Sequence, residues 1–308
     1  MNKIINPVPI DLLQNELTEE RFVRKTNNGN NEIYIVNHHN SPNVTREIGR
    51  LREVTFRNAG GGTGKECDLD KYDIRDYAFY DQLIVWAPES KEIVGGYRFI
   101  KCIDALKSDV QLATNGLFTF TENFKAQYLP STIELGRSFV QPNFQPSQGS
   151  RKGIFSLDNL WDGLGAIVVD QPEIHYFFGK VTMYLNFNKQ ARDLILAFMY
   201  HFFPDEEQLV YPIESLKFHS NPSDFINEIR QLEYKDAFRV LQQKVRSLNE
   251  NIPPLVSAYM NLSSTMKTFG TSLNNSFGAV EETGILISIY DIFNSKKERH
   301  INSYINPA

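Results

Sequence analysis

The sequence predicts a mixed β-sheet with helices on both faces, an α/β or α+β fold. Short apolar runs of strand character and longer segments with helical apolar spacing interleave without strict alternation. Several of the strand-like runs follow one another directly, as hairpins do. The 308 residues are 41% hydrophobic and 22% charged, ordinary globular usage with ample material for a core. No repeat or linker divides them. The chain is therefore read as a single domain over 1–308, with a mainly helical 222–308 part completing it.

Taken in order, "NNEIYIVN" (30–37) reads as the first strand. "SPNVTREIGRLREVTFR" (41–57) follows as a helix, with Ser41 as N-cap and Pro42 at the first helical position. Val44, Ile48 and Leu51 keep helical spacing and Val54 continues it at one edge. Arg46 and Arg50 fall on the far side, whereas Arg52 flanks the apolar stripe. After a glycine-rich loop, "YDQLIVWAP" (80–88) and "EIVGGYRFIKC" (92–102) read as strands around a turn at "ESKE". "STIELGRSFVQP" (131–142) is the next strand, with Ile133, Leu135 and Phe139 on one face. Glu134 and Arg137 are three apart, so strict alternation separates them. Gly136 lies between them and marks a bulge that would turn both charges to one side.

A polar loop, "NFQPSQGSRKG", leads to the helix "IFSLDNLWDGLGAIVVD" (154–170). "IHYFFGKVTMY" (174–184) reads as a buried strand and "NKQARDLILAFMYHFF" (188–203) as a long helix. Beyond 222 the pattern is helical and charged, and "TGILISIYDIF" (283–293) is the last strand.

Several functions are excluded on composition and spacing. A net charge of −5 and a pI near 5.8 give no global field for nucleic acid or an anionic membrane. Cys67 and Cys102 have neither metal nor redox spacing, which suits a reduced, cytosolic protein. The N-terminus carries no apolar stretch of signal-peptide length. The longest apolar run, "LILAFMYHFF", is about half a membrane span, so membrane contact would be peripheral. "AGGGTGKE" (59–66) approaches a nucleotide P-loop but holds Ala59 and Glu66 where Gly and Ser or Thr belong, and follows a helix instead of a strand. "HFFPDE" places Glu206 where a His-x4-Asp acyltransferase motif needs Asp, and His201 suits a helix C-terminus instead. There is no G-x-S-x-G elbow and no H-E-x-x-H. No metal and no bound cofactor are expected.

What remains is a set of charges in apolar surroundings. Asp70 and Asp73 bracket Tyr72, Arg98 follows a glycine pair, and Glu134 and Arg137 flank Gly136. Each alone reads equally well as a functional group or as a structural one, a surface charge or a member of one ion pair. Interior glycines in both charged strands favour a site. A bulged strand pair opens a cleft and exposes backbone N–H groups suited to a thioester carbonyl oxygen gaining charge.

These same residues carry a family likeness. "EIVGGYRFIKC", "IELGRSFVQPNF", "LWDGLGAIV" and "HYFFGKVTMY" resemble the ornithine-lipid and glycine-lipid N-acyltransferases, above all the Bacteroidetes-type branch. This is a GNAT-fold group often called hemolysins. "REIGRLREVTFRNAGGGTGK" and "IPPLVSAYMNLSSTMKTFG" extend the resemblance over nearly the whole chain. A more distant likeness links Arg52 and Phe56, Asp70, Tyr72 and Asp73, Arg98, and the pair Glu134 and Arg137 to acyl-homoserine lactone synthases.

The resemblance implies a GNAT-like, mostly antiparallel sheet and transfer of a fatty acyl group to the α-amine of an amino acid, glycine or ornithine. It implies Glu134 as base, with Arg137 orienting it or binding the acceptor's carboxylate. Arg98 is the alternative carboxylate partner, Asp70 and Asp73 hold the ammonium, and Ser138, Arg52 and Phe56 complete the substrate set. The GNAT pyrophosphate loop is missing from "QPSQGSRKG", which favours an acyl donor carried on the phosphopantetheine of acyl carrier protein over CoA. Arg151 and Lys152 are then the candidates to meet the acidic carrier protein. The implied product feeds aminolipid synthesis at the inner face of the membrane. The competing readings are a CoA-dependent GNAT enzyme acting on another amine, and a membrane-active hemolysin.

Overall fold

The computed structural model describes residues 1–145, 153 and 155–306. The strands among them are β1 Phe22–Lys25, β2 Glu32–Val36, β3 Asp81–Ala87, β4 Glu92–Lys101, β5 Phe118–Phe120, β6 Thr132–Val140, β7 Tyr176–Met183, β8 Val210–Pro212, β9 Lys267–Asn274 and β10 Val280–Ser288. The α-helices are α1 Ile10–Glu16, α2 Pro42–Asn58, α3 Lys71–Ile74, α4 Cys102–Lys107, α5 Ser156–Asp170, α6 Lys189–Phe202, α7 Ser223–Ile229, α8 Tyr234–Ser247, α9 Pro254–Met260 and α10 Asn294–His300. The chain is a mixed α/β protein with a large, mostly antiparallel sheet flanked by helices. It divides into two compact units, one of 1–113, 129–175 and 293–308, the other of 114–128 and 176–292.

In the first unit β1, β2, β3, β4 and β6 pair antiparallel in that order. Side-chain alternation on β3 sets the layers. Gln82 faces α2 and bonds its Arg52, whereas the neighbouring Leu83 lies against Gly163 of α5. Helices therefore cover both faces, and the apolar residues Leu83, Ile84 and Val85 are wholly buried. The spacing that predicted α2 holds: Val44, Ile48 and Leu51 are buried and Arg46 is exposed.

The start of α2 is closed in an unexpected way. Ser41 is the N-cap residue, yet its hydroxyl makes no cap bond and is buried without a partner. Instead Glu16, the last residue of α1, takes the backbone N–H of Asn43 at 3.1 Å and of Val44 at 2.8 Å. A carboxylate satisfies orphan helix donors and meets the positive end of the helix dipole, so it displaces the weaker hydroxyl.

The second unit contains an antiparallel β7–β10–β9 ladder and a short β5–β8 pair. Strand β9 lies within the stretch "MKTFGTSLN", which sequence periodicity alone did not separate from its surroundings. Its positive-φ Gly270 interrupts the alternation. Phe178 of β7 packs with Phe120 at 5.5 Å, Phe124 at 5.3 Å and Phe269 at 6.0 Å, a filled aromatic core.

Candidate active site

The site grows from the pairing of β4 with β6. Arg98 lies opposite Gly136, and Gly96 opposite Phe139. Two residues of β6, Arg137 and Ser138, therefore face the single Tyr97 of β4, and the strand carries the bulge its sequence predicted. The left-handed residue is not the glycine but Arg137 itself, at φ 49°. That conformation costs a non-glycine residue about 1–2 kcal/mol. Gly136 faces the Arg98 side chain, where a Cβ would meet Nε at 3.4 Å and Cγ at 3.6 Å, ordinary packing distances.

Beneath the bulge lies a dense ionic network. Arg52 of α2, fully buried, gives Nη1 to Asp73 at 3.2 Å and Nη2 to Gln82. Gln82 donates to the same Asp73 oxygen at 3.0 Å. The other Asp73 oxygen takes Arg98 Nη1 at 3.2 Å and the backbone N–H of Asp70 at 3.1 Å, within a capping box that closes α3. Asp70 in turn meets Arg98 Nη1 at 2.8 Å. Both oxygens of Asp73 are thus committed inside the protein, so it acts as a strut. Burial works against the charge of Arg98, but Asp73 and Asp70 outweigh it and raise its pKa well above the ordinary arginine value. Burial also opposes ionisation of Asp70, yet Arg98 and then Arg137 hold its carboxyl well below the usual range.

Arg137 turns away from this strut toward the buried Asp68. Its Nε lies 2.9 Å from Asp68 Oδ2, close enough to pair as charges though not aligned as a hydrogen bond. Its Nη2 is 3.8 Å from Asp70. Burial pushes the Asp68 carboxyl up, against the pull of Arg137 and Arg52. Glu134 has a different partner. Its Oε1 accepts the Tyr80 hydroxyl at 2.9 Å. The bulge therefore places Arg137 and Glu134 in one polar cluster, each with its own anchor. Arg98 links the two sides, its guanidinium lying 5.1 Å from the Tyr80 ring and 5.7 Å from that of Tyr72.

The network brings together Arg52, Asp70, Asp73, Arg98 and Arg137, with Glu134 joined through Tyr80. Phe56 is buried on α2, one turn from Arg52. Ser138 is half-buried in the bulge. Arg151 and Lys152 lie outside the described residues. Sequence reasoning missed Asp68, Gln82 and Tyr80. Asp68 stands two residues before Asp70 in "DLDKYD", and Gln82 is a polar residue in an apolar strand, so both left a signal. Tyr80 left none. Among the described residues no group of three or more His, Cys, Asp or Glu is placed to hold a metal ion, and no helix is long and apolar enough to cross a membrane.

The glycine-rich loop has its own anion. Glu53 accepts the N–H of Thr63 at 3.0 Å and of Gly64 at 2.8 Å, the Thr63 hydroxyl at 2.7 Å and Arg57 Nε at 2.6 Å. Burial would raise the Glu53 pKa, but these bonds overcome it and lower it. The donors that would cradle a phosphate are occupied by a side chain.

With the geometry in place, known proteins supply the identity. The sequence profile of the Acetyltransferase (GNAT) domain matches residues 51–152, the stretch holding every charge of the network. A glycine N(alpha)-acyltransferase of Bacteroides thetaiotaomicron is 50% identical over 99% of this chain and 91% of its own length. Another, from Phocaeicola vulgatus, is 47% identical over 99% of this chain and 94% of its own. The chain belongs to this acyltransferase family. It is an N-acyltransferase, with the mixed GNAT-type architecture expected of one. Among solved structures, a CoA-dependent acyl-homoserine lactone synthase with SAM and isopentyl-CoA covers 90% of each chain at 12% identity and a TM-score of 0.40. That likeness is too slight to inform the roles of individual residues in the N-acyltransferase.

Proposed function

We propose that this N-acyltransferase moves a fatty acyl group from the phosphopantetheine thioester of acyl carrier protein to the α-amine of glycine, for aminolipid synthesis at the inner membrane face. The observation that carries the acceptor is the 50% identity, over 99% of the chain, to a glycine N(alpha)-acyltransferase. The carrier-protein donor rests on the missing pyrophosphate loop in "QPSQGSRKG".

In this reading the glycine carboxylate docks on Arg137, the most open of the three network arginines at 14% side-chain exposure. Asp70, at 25%, meets the ammonium before it is deprotonated. Glu134 is only 1% exposed, so it takes the amine proton through an intervening water. The amine lone pair then attacks the thioester carbonyl carbon. A C–N bond forms and the C–S bond breaks. The nitrogen gives up a second proton as the tetrahedral adduct collapses, so that one of its two protons passes from Glu134 to the departing thiolate and the other goes to solvent. Arg137 and Ser138 are out of the ladder with β4, and in this reading a backbone N–H of the bulge meets the developing oxyanion. No covalent enzyme intermediate is needed, and positioning of the two reactants supplies much of the rate.

The test gives the purified protein one acyl chain on carrier protein or on CoA, with glycine or ornithine, and identifies the amide by mass spectrometry. N-acylglycine formed with the higher kcat/KM from acyl carrier protein is the expected result. An equal or better CoA donor overturns the carrier-protein part. Acylation of ornithine alone overturns the acceptor.

A further inference from the structure

Tyr80 stands at the first turn into β3, wholly buried, and nothing in its sequence context marks it. Its hydroxyl sits between two groups. It donates to Glu134 Oε1 at 2.9 Å and accepts the backbone N–H of Ala113, also at 2.9 Å. The accepted bond fixes the direction of the donated one, because a phenol oxygen held by an N–H has its proton left for the carboxylate. The ring is clamped as well. Tyr72 meets it edge-on at 5.8 Å, and the Arg98 guanidinium lies 5.1 Å from its centroid. Its backbone N–H is tied to the Tyr72 carbonyl at 2.9 Å. Every freedom of this side chain is thus removed by neighbours belonging to α3, β4 and the segment before residue 114.

We propose that Tyr80 is a positioning residue for the acyl-transfer base: its hydroxyl fixes the orientation of the Glu134 carboxylate and favours its ionised form. This rests on the reading of Glu134 as base. Burial, and after it the charge of Glu134, push the Tyr80 phenol well above its ordinary pKa, so it stays a donor throughout the working range. A donor to the charged form lowers a carboxyl's pKa, and its removal raises it. The other titratable or charged groups around this pair are Tyr72 of α3, Arg75 beyond it, Arg98 of β4, Asp70 at the α3 cap, and Cys102 and Asp104 of α4. Changing Tyr80 to phenylalanine substitutes none of these residues and keeps the ring under Arg98, removing only the hydroxyl that faces them.

The experiment measures N-acylation against pH for the wild type, Tyr80→Phe, Glu134→Gln and the double variant. For Tyr80→Phe, kcat should fall roughly ten- to a hundredfold, the worth of one hydrogen bond to a charged group. The acidic limb of kcat/KM should also move to higher pH, which a purely structural loss does not produce. In the Glu134→Gln background the same change should add almost nothing, since Tyr80 acts through the carboxylate. A wild-type limb, or a loss that multiplies with that of Glu134→Gln, overturns the proposal. Should Tyr80→Phe fail to fold, Glu134→Asp withdraws the acid from the phenol by one methylene and should displace the limb in the same direction. An unchanged limb there overturns it equally. Full activity of Glu134→Gln instead removes the base itself, a different failure with a different signature.

Discussion

The first unit sets the buried Arg52 and Arg98 and the half-buried Arg137 among Asp68, Asp70 and Asp73, while the second buries Arg192 between Asp193 and Glu281. Arg192 lies 2.8 Å from Asp193 and 3.1 Å from Glu281. Asp193 also accepts the N–H and the hydroxyl of Ser220 at 2.6 and 2.9 Å. These are the same ingredients on different backbones. The β7–β10 register beneath the second group runs unbroken from Glu281↔Met183 to Ser288↔Tyr176. The first group sits on a bulge with a left-handed arginine, and two of its charges keep partial access to solvent. Burial of ions is therefore not what marks a site, since ion pairs also serve as struts. Local strain combined with incompletely covered charge is the better mark.

The largest expected effect separates the two groups most sharply. Glu134→Gln should lower the N-acylation rate of folded protein by about 10²–10⁴-fold, the range for loss of a general base. Arg192→Met should leave the rate per folded molecule unchanged, and a matching loss there would erase the distinction. Stability should not separate them. Arg52→Met and Arg192→Met each strand buried acids, and urea unfolding should show each destabilised by about 3–5 kcal/mol. A small cost for Arg52→Met alone would mean that its network does not brace the fold.

A smaller effect tests the open side of the first group. Arg137→Lys keeps the charge but loses the planar fork, so KM for glycine should rise about tenfold with little change in kcat. A change in kcat alone would place Arg137 elsewhere in the reaction. The smallest effect is on acid stability. The Asp70 carboxyl is depressed in the folded state, mainly by Arg98 once burial is overcome. The folded protein therefore binds fewer protons there than the unfolded chain does. Its contribution is complete above the ordinary carboxyl pKa of about 4 and is lost as the pH falls below it. Asp70→Asn should flatten the stability curve over that acid range, and an unchanged slope would show that Asp70 is not the group being titrated.

Much of this was legible in the sequence where the physics is local. The i, i+3, i+4 spacing of α2, the paired apolar runs of β3 and β4, and the glycine inside β6 depend on near neighbours. The bulge was readable for that reason, though not which residue would carry the positive φ. Arg52, expected at the flank of an apolar stripe, is fully buried because Asp73 and Gln82 come from other elements to receive it. Tyr80 and the Glu16 cap were illegible for the same reason. Each acquires its role from a partner brought close only by the tertiary fold.

The Glu16 contact has a bearing on the order of assembly. Residues 43 and 44 cannot complete their hydrogen bonding until a carboxylate 27 and 28 positions earlier has docked. A helix carrying Arg52 at its centre thus has a late-closing end and an early-forming middle. Amide exchange at Asn43 and Val44 should report the undocking of α1, whereas exchange around Arg52 should require the whole first unit to open. The same helix would then record two separate events, one at its tip and one at its heart.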